Sequence, residues 1–336
     1  LIIPNSSPVR LRLTNMELSS LSREDYRSRA NKTVFIFAWV YLGICILAFV
    51  AYLLAGMSPF DVINHAFSVC ATGGFSTKNL SIGAFRSELI SVITIIFMFV
   101  ASVHFGLIFM TLVSRSLRPL NNPVLKFYVV SLALGALFTS TALKMEGVDA
   151  TWARAFLDGT FHVVSYASTS GLAISDNSSW PVLPCFILIV CSLICGCSGS
   201  TTGGLKADRV IVLFKAIRMQ IVKSLYPSTI FEVRIGRRVL RDEEIYPQVL
   251  YICLFFFLIG LSSILCVILG DPNQHALLGS VASLANVGPS LGSIGSLGNY
   301  NAEPTALKLI FTFDMFLGRV EIYPVFAVFA SFFHRR

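Results

Sequence analysis

Long apolar segments alternate in this chain with short ones, and this alternation constrains the fold more than any other feature. The long segments are residues 34–56, 89–113, 124–143, 245–269 and 305–333, while 181–195 and 205–224 form one further, interrupted segment. A helix needs about 20 apolar residues to cross the hydrocarbon core of a bilayer. Charged residues make up only 13% of the chain, against about 25% in soluble domains. The sequence therefore argues against a water-soluble enzyme and predicts an all-α polytopic membrane protein.

Three short apolar segments lie between the long ones, at residues 59–70, 151–168 and 273–285. Each has the spacing of a helix, yet each is too short to cross a bilayer. Each leads into a polar turn that contains glycine: Ala71-Thr72-Gly73-Gly74-Phe75-Ser76-Thr77, Ser168-Thr169-Ser170-Gly171-Leu172, and Asn286-Val287-Gly288-Pro289-Ser290-Leu291-Gly292. A long segment follows every turn. The chain thus repeats one unit three times: span, short helix, glycine turn, span.

These glycine turns are typical of a cation pore. Irregular backbone within a bilayer is tolerated only where protein covers it or where it lines a water-filled cavity. A short helix directs the negative end of its dipole at such a turn, and rings of backbone carbonyls can replace the hydration shell of an alkali cation. One such turn alone would more often be a plain re-entrant loop or a surface turn. Three in equivalent positions favour a pore.

A second glycine-rich stretch, Gly196-Cys197-Ser198-Gly199-Ser200-Thr201-Thr202-Gly203-Gly204, interrupts a spanning segment. It is not a phosphate-binding P-loop, because Leu205 stands where that motif requires Lys. It is not the nucleophile elbow of a hydrolase, because Gly199 follows Ser198 directly. Two interpretations remain open: a flexible break in a helix, or a mobile loop that crosses the pore and acts as a gate.

Arg319 lies inside the last long segment, where a charge is costly and usually faces a cavity or a partner. Asp314, on roughly the same side of that segment, offers an internal ion pair. The alternative places the guanidinium in the pore, where it would raise the barrier to cations. His104, in the second long segment, is expected to be a hydrogen-bonded packing residue.

Basic residues predict the topology. Most of the 26 Lys and Arg lie in the segments before residue 33, at 115–126, at 206–241 and at the C-terminus. The positive-inside rule then places both termini in the cytoplasm and the short helices on the outer side. A basic stretch in the third of these segments fits either lipid headgroups or an acidic cytoplasmic subunit; its residues are Lys215, Arg218, Lys223, Arg234, Arg237, Arg238 and Arg241. The sequence contains no module of interleaved basic and aromatic residues, so it gives little support for nucleic-acid binding.

A membrane hydrolase is the alternative from a different class of function. It would use Ser198 or Ser200 as the nucleophile and His104 or His162 as the base. His162 belongs to an outer short helix and Ser198 lies toward the inner side, so the two are poorly matched in depth. The eight cysteines have no zinc-binding spacing and are expected to be small buried apolar residues.

Taken together, these motifs resemble the bacterial Trk-type potassium-uptake membrane subunit of the Trk/Ktr/HKT superfamily. The matching stretches are the first glycine turn with Leu80-Ser81-Ile82-Gly83 after it, the interrupting stretch with Leu205-Lys206 after it, the last glycine turn, and Phe316-Leu317-Gly318-Arg319-Val320-Glu321. The resemblance covers nearly the whole chain, from about Pro8 onward.

The resemblance implies a pseudo-fourfold, channel-like pore for K⁺, the transported ion, with no organic cofactor. Its filter would be Thr72, Gly73, Gly74, Thr169, Ser170, Gly171, Asn286, Val287 and Gly288. Its gate loop would be Gly196, Ser198, Gly199, Ser200, Thr201, Thr202, Gly203 and Gly204, with Arg319 as the barrier below the filter. Family members work as homodimers in the bacterial inner membrane and bind a cytoplasmic nucleotide-binding regulatory subunit. This chain has no nucleotide motif of its own.

The family has four membrane–pore–membrane units and this sequence shows three, so we expect the first unit to be missing. The predicted division is a cytoplasmic N-terminal segment (1–33), the second unit (34–113), the third unit with a broken last helix (114–224), a cytoplasmic connection (225–244) and the fourth unit (245–336). Without the first filter position, Na⁺ or non-selective cation transport stays an alternative to K⁺ uptake.

Overall fold

The computed structural model describes residues 30–226, 232–236, 238–271 and 273–333. The α-helices within these residues are α1 (Ala30–Leu54), α2 (Pro59–Cys70), α3 (Glu88–Ser102), α4 (Phe105–Ser114), α5 (Pro123–Met145), α6 (Trp152–Ala167), α7 (Val182–Leu193), α8 (Ala207–Leu225), α9 (Asp242–Ile268), α10 (Asn273–Leu284), α11 (Thr305–Val320) and α12 (Ile322–Phe333). Short 3₁₀ helices occupy Ser81–Phe85, Arg118–Leu120 and Gly292–Ile294.

One packing arrangement recurs three times. The short helices α2, α6 and α10 each pack against the long helix before them and against the helix after them. Successive units also touch, because α6 packs against α3, and α10 packs against α7. Capping defines where the short helices begin: the Ser58 hydroxyl accepts from the amide of Asp61, and the Thr151 hydroxyl accepts from that of Arg154.

The outer surface of the helices is apolar. Trp39 on α1 is 69% exposed and Phe257 on α9 is 63% exposed, whereas Tyr128, Phe161 and Phe255 are fully buried. Exposing apolar surface to water costs about 25 cal/mol per Å². The same surface is favourable in contact with lipid tails. By length and composition, Val34–Leu54, Pro123–Met145 and Asp242–Ile268 can each cross a membrane. The predicted all-α polytopic membrane fold is confirmed.

The long apolar segment at residues 89–113 is not one continuous helix. The chain bends by 96° between α3 and α4. Backbone from the interrupting stretch supplies the hydrogen bonds that a straight helix would make internally: the amide of Cys197 donates to Ser102 O (2.9 Å), and the amide of Phe105 donates to Gly199 O (3.1 Å). His104 caps α4, its Nδ1 accepting from the amide of Gly106 (2.9 Å). The break thus exists because a distant loop inserts there.

The last predicted span, residues 305–333, is also broken. Glu321 separates α11 from α12 and has a φ of 67°, in the left-handed region that a non-glycine residue rarely adopts. A buried ion pair with Arg209 on α8 engages the side chain of Glu321. The joint therefore coincides with a specific contact to another helix.

The connection at residues 225–244 contains a small antiparallel hairpin, β1 (Val233–Ile235) and β2 (Arg238–Leu240), with Val233 opposite Leu240. Residues 227–231 and 237 of this connection lie outside the described part of the chain, as do residues 1–29 of the predicted N-terminal segment. The hairpin packs against α8, which extends from the interrupting stretch.

Candidate functional site

The three glycine turns share one pattern of backbone φ angles and hydrogen bonds. Thr72, Thr169 and Asn286 have φ of 50°, 55° and 60°, and Gly74, Gly171 and Gly288 have φ of 72°, 69° and 92°. In each turn the residue between them donates its amide to a carbonyl in the last turn of the short helix, at 2.8 Å for Gly73, 2.9 Å for Ser170 and 3.0 Å for Val287. A left-handed non-glycine residue costs on the order of 1–3 kcal/mol. Its occurrence at three equivalent places indicates a functional requirement.

The turns also approach one another closely through their glycines. A Cβ added to Gly74 would lie 2.1 Å from Ser170 O in the second turn. A Cβ added to Gly171 would lie 2.3 Å from Val287 O in the third turn. A Cβ added to Gly288 meets no described atom within 4 Å. The three turns therefore lie side by side in chain order, as consecutive sectors, and the sector beyond Gly288 is open among the described residues.

Histidine braces hold the first two turns. On α2, His65 Nδ1 contacts Asp61 O (2.7 Å) and its Nε2 contacts Ser76 Oγ (2.9 Å) in the segment that leaves the first turn. On α6, His162 Nδ1 contacts Asp158 O (2.9 Å) and its Nε2 contacts Ser175 O (3.1 Å). The sequence prediction did not include these braces. The repeated Asp-x-x-x-His spacing in the short segments was the available signal.

Two tyrosines contact the third turn. The Tyr300 hydroxyl donates to Gly288 O (2.8 Å), and the Tyr166 hydroxyl donates to Ser290 O (2.9 Å). Asn177 in turn donates to the Tyr166 hydroxyl oxygen (2.7 Å). These partners come from outside the short helix of the third turn, so they add to the bond that the Val287 amide makes to Ala282 O within that helix.

The interrupting stretch, residues 196–204, lies directly against the glycine turns, and we call it the central loop. The Thr72 hydroxyl donates to Thr201 O (2.9 Å), and the amide of Gly203 donates to Thr169 Oγ1 (2.8 Å). A Cβ added to Gly203 would lie 2.7 Å from Asn286 Cβ. The central loop therefore reaches all three turns.

Arg319 links the central loop to the first turn. Its guanidinium donates to Thr201 O (2.8 Å) and to Ala71 O (3.3 Å), and the side chain stays exposed. Asp314 does not pair with it, since its carboxylate accepts from the Ser262 hydroxyl (2.7 Å) on α9. The ion-pair interpretation of Arg319 and Asp314 is therefore wrong, because Asp314 lies on the opposite, buried side of α11.

Charged residues at the start of α8, including its N-cap residue Lys206, contact the other end of the central loop. Lys206 is 7% exposed and donates to Thr202 O, and the Ser198 hydroxyl donates to Asp208 (3.1 Å). Arg209 is 3% exposed and pairs with Glu321 at 2.5 Å. Sequence reasoning counted Lys206 and Arg209 with the cytoplasmic charges; the structure shows both side chains buried, Lys206 against the nearby Thr202 and Arg209 against the distant Glu321.

Glu321→Gln is expected to lower stability more than a typical surface change. Arg209 lies 3.8 Å from the centre of the Tyr251 ring and has Glu321 as its charge partner. Removing one partner of a buried pair costs about 3–5 kcal/mol, because the other charge stays buried. This loss of stability is measured as a lower unfolding temperature of the variant in detergent, followed by intrinsic fluorescence.

Glu232→Gln is the matched control, because the Arg234–Glu232 pair is exposed, with side-chain exposures of 67% and 45%, and such pairs contribute about 0–1 kcal/mol. The double variant Arg209→Met, Glu321→Leu should melt above the single variant. If Glu321→Gln melts at the temperature of Glu232→Gln, the buried pair does not stabilise this joint.

The hydroxyls considered for a hydrolase are engaged elsewhere. The Ser198 hydroxyl donates to Asp208, and that of Ser200 donates to Cys197 O (2.7 Å). Both ring nitrogens of His162 contact backbone carbonyls. His104 is 8% exposed and packs edge-on against Phe37, with its ring beside Gly199. The geometry offers backbone carbonyls and hydroxyls to a cation rather than an activated nucleophile.

Comparison with known proteins gives a consistent result. The sequence profile of the TrkH family, described as a cation transport protein, matches residues 2–335. A Trk system potassium uptake protein TrkH from Halomonas elongata is 32% identical over 312 residues, which is 92% of this chain and 64% of that protein. The corresponding Escherichia coli protein is 30% identical over 311 residues, with the same two shares. The chain thus spans 64% of the length of these curated relatives.

A solved structure is also similar. The crystal structure of the potassium transporter TrkH from Vibrio parahaemolyticus superposes with a TM-score of 0.86 at 27% sequence identity. The match covers 94% of this chain and 68% of that one. The similarity therefore extends over almost all of the described helices.

Proposed function

The chain belongs to the TrkH family of cation transport proteins, and from this premise we propose that it forms three walls of a potassium uptake pore. The relatives that match it are named as potassium uptake proteins. One observation carries the proposal: three turns with the same pattern of φ angles lie side by side, as sectors of a ring would, and the central loop lies against all three. A membrane hydrolase is not supported, since the candidate serine hydroxyls have other partners.

The ring is the proposed selectivity filter. Its residues are Thr72, Gly73, Gly74, Thr169, Ser170, Gly171, Asn286, Val287 and Gly288. Alternation of positive and negative φ lets successive carbonyls turn toward one side, where they can replace the water around K⁺. Entry needs no chemical step, because a negative-inside potential supplies about 2.3 kcal/mol per charge per 100 mV.

The central loop is the proposed gate and Arg319 the barrier beneath the filter. Both would obstruct the path of ions that leave the filter. The loop lies against the first two turns, and the guanidinium donates hydrogen bonds to Thr201 O and Ala71 O. A fixed positive charge there opposes a cation that leaves the filter. Opening then requires the central loop to release Thr72, Thr169 and Arg319.

A complete pore needs a wall in the open sector between Gly288 and the first turn. We propose that a further filter turn occupies this sector, continuing the approach of Gly74 to Ser170 O and of Gly171 to Val287 O. The proposed units within this chain are residues 34–113, 114–224 and 245–336. Na⁺ or non-selective transport stays the second candidate, because a ring of carbonyls selects through all its sectors together.

We propose a bacterial inner-membrane location with both termini cytoplasmic, supported by the distribution of basic residues. The pore would act as a homodimer with a cytoplasmic nucleotide-binding subunit of the Trk system. The exposed basic side chains Arg218 and Arg234, on α8 and in the hairpin, offer such a subunit a positive surface. Lipid headgroups are the competing ligand for the same charges.

Transport by the full-length protein that contains this chain tests the proposal. Its gene should restore growth at low K⁺ to a bacterial strain without K⁺ uptake systems, and the purified protein should carry Rb⁺ into liposomes in preference to Na⁺. Equal Rb⁺ and Na⁺ flux would favour the non-selective alternative. Flux no higher than in empty liposomes, with correct insertion verified, would refute transport.

A further inference from the structure

Three potential metal ligands converge at the start of the third short helix, apart from the proposed pore. Asp271 lies in the turn between α9 and α10, His275 in the first turn of α10, and Glu303 in the loop before α11. One ligand atom from each lies within 4.8 Å of the others. We propose that these residues form a binding site for a divalent transition-metal ion, with Zn²⁺ as the preferred ion.

The buried carboxylate of Asp271 points to a ligand. Its side chain is fully buried, and neither carboxylate oxygen has a hydrogen-bond partner among the described residues. Buried polar groups are almost always satisfied, and a buried charge requires a partner or a metal. His275 Nδ1, at 4.0 Å from Asp271 Oδ1, is near but too far for a hydrogen bond.

Electrostatics favours a cation at the same place. Asp271 and Glu303 bring two carboxylates together there, and the side chain of Asp271 is fully buried. Two carboxylates that face each other in a poorly solvated turn are therefore mutually unfavourable, and a cation between them would relieve both effects.

The donor set selects the class of metal. Ca²⁺ and Mg²⁺ prefer sites made of oxygen alone, whereas imidazole together with carboxylates suits Zn²⁺ and its neighbours. Around Zn²⁺ two such ligand atoms lie about 3.4 Å apart, so the present separations of up to 4.8 Å must shorten. The side chain of His275 is 25% exposed and Glu303 is half-buried, so neither is enclosed by protein on every side as Asp271 is. Water would complete the coordination.

The site is connected to the third glycine turn. The amide of Glu303 donates to Tyr300 O (3.2 Å), and the Tyr300 hydroxyl donates to Gly288 O (2.8 Å). A metal that holds Glu303 against the start of α10 would therefore restrict the segment that braces this turn. Any resulting change of flux rests on the proposed function, whereas metal binding does not.

Titration of the purified full-length protein with ZnCl₂ tests the proposal, by calorimetry and by the visible absorption of Co²⁺ as a substitute. We expect one saturable site per chain with Co²⁺ bands typical of nitrogen and oxygen ligands, and no competition from Ca²⁺ or Mg²⁺. Asp271→Asn and Glu303→Gln should each weaken binding about tenfold or more, since even outer partners of metal ligands contribute 10–100-fold.

Glu146→Gln is the control, because Glu146 is an exposed acid that follows α5 in the corresponding loop of the preceding unit. The Glu146→Gln variant should bind Zn²⁺ with the affinity of the native protein. Absence of saturable binding, or native affinity in both ligand variants, would overturn the site. Binding without any effect of Zn²⁺ on Rb⁺ flux would leave the site intact and disprove only its link to the third turn. Both measurements use the same protein preparation.

Discussion

Gly171→Ala is expected to abolish selective K⁺ flux. The added methyl group would lie 2.3 Å from Val287 O and 2.7 Å from Pro289 Cδ, far inside contact distance. Neither the backbone of the third turn nor a proline ring can move aside cheaply, so the second and third sectors must separate. We expect Rb⁺ flux to fall by at least about tenfold, the effect of ~1.4 kcal/mol on a barrier, with a greater relative loss for Rb⁺ than for Na⁺.

Gly147→Ala is the matched control for this variant. Gly147 has nearly the same φ as Gly171, 71° against 69°, but a Cβ added there meets nothing within 4 Å. The two variants therefore share the backbone strain of a left-handed alanine, and only Gly171→Ala adds the collision. Normal Rb⁺ flux in Gly171→Ala would contradict the filter assignment, provided that the protein inserts at its native level.

Gly288→Ala extends the same experiment to the open sector. Within the described residues its methyl group would meet nothing. If a further filter turn fills the sector, the variant should lose Rb⁺ flux as severely as Gly171→Ala. Flux like that of Gly147→Ala would indicate that no backbone approaches Gly288 in the assembled pore.

Removal of residues 199–202 from the central loop is expected to raise flux strongly. These residues supply Thr201 O, which accepts hydrogen bonds from both Thr72 and Arg319. Without them the path under the first turn loses its obstruction and the arginine loses its main partner. We expect Rb⁺ flux into liposomes to rise by about tenfold or more, corresponding to ~1.4 kcal/mol or more of barrier.

Arg319→Gln separates the contribution of charge from that of the loop. Glutamine can still donate to Thr201 O but carries no charge, so flux should rise less than in the deletion. Unchanged or lower flux in the deletion variant, at native expression and insertion, would argue that the central loop is structural. Ser114→Ala is the control, because its hydroxyl is exposed and bonds only within α4.

Local features of the site were predictable from the sequence. The glycines of the three turns stand out because each follows a short apolar segment that cannot span a bilayer. The left-handed conformation of Thr72 and Thr169 was not predictable, since a β-branched residue normally avoids it, whereas Asn286 is of a residue type that adopts it more often. Only the packing of neighbouring turns enforces it.

Features that depend on partners far along the chain could not be predicted from the sequence. The break after α3 occurs within an apolar run, and its cause is the loop backbone at Cys197 and Gly199, far along the chain. Arg209 resembles a cytoplasmic charge in the sequence, because its partner Glu321 is separated from it by 112 positions. Hydrophobic periodicity and counts of charged residues depend on neighbours along the chain. They carry no information about residues that are neighbours only in the folded protein.

Hydrogen bonds shared between the filter and the central loop tie selectivity to opening. The Thr72 hydroxyl donates to Thr201 O, and the Thr169 hydroxyl oxygen accepts from Gly203. A loop that moves away takes these partners from two residues already held in an unfavourable backbone conformation. The filter turns would then be most rigid while the central loop is in place. They would be less rigid, and therefore less selective, once the loop has moved and ions pass. Ion preference measured during sustained current should accordingly be poorer than at the onset of opening.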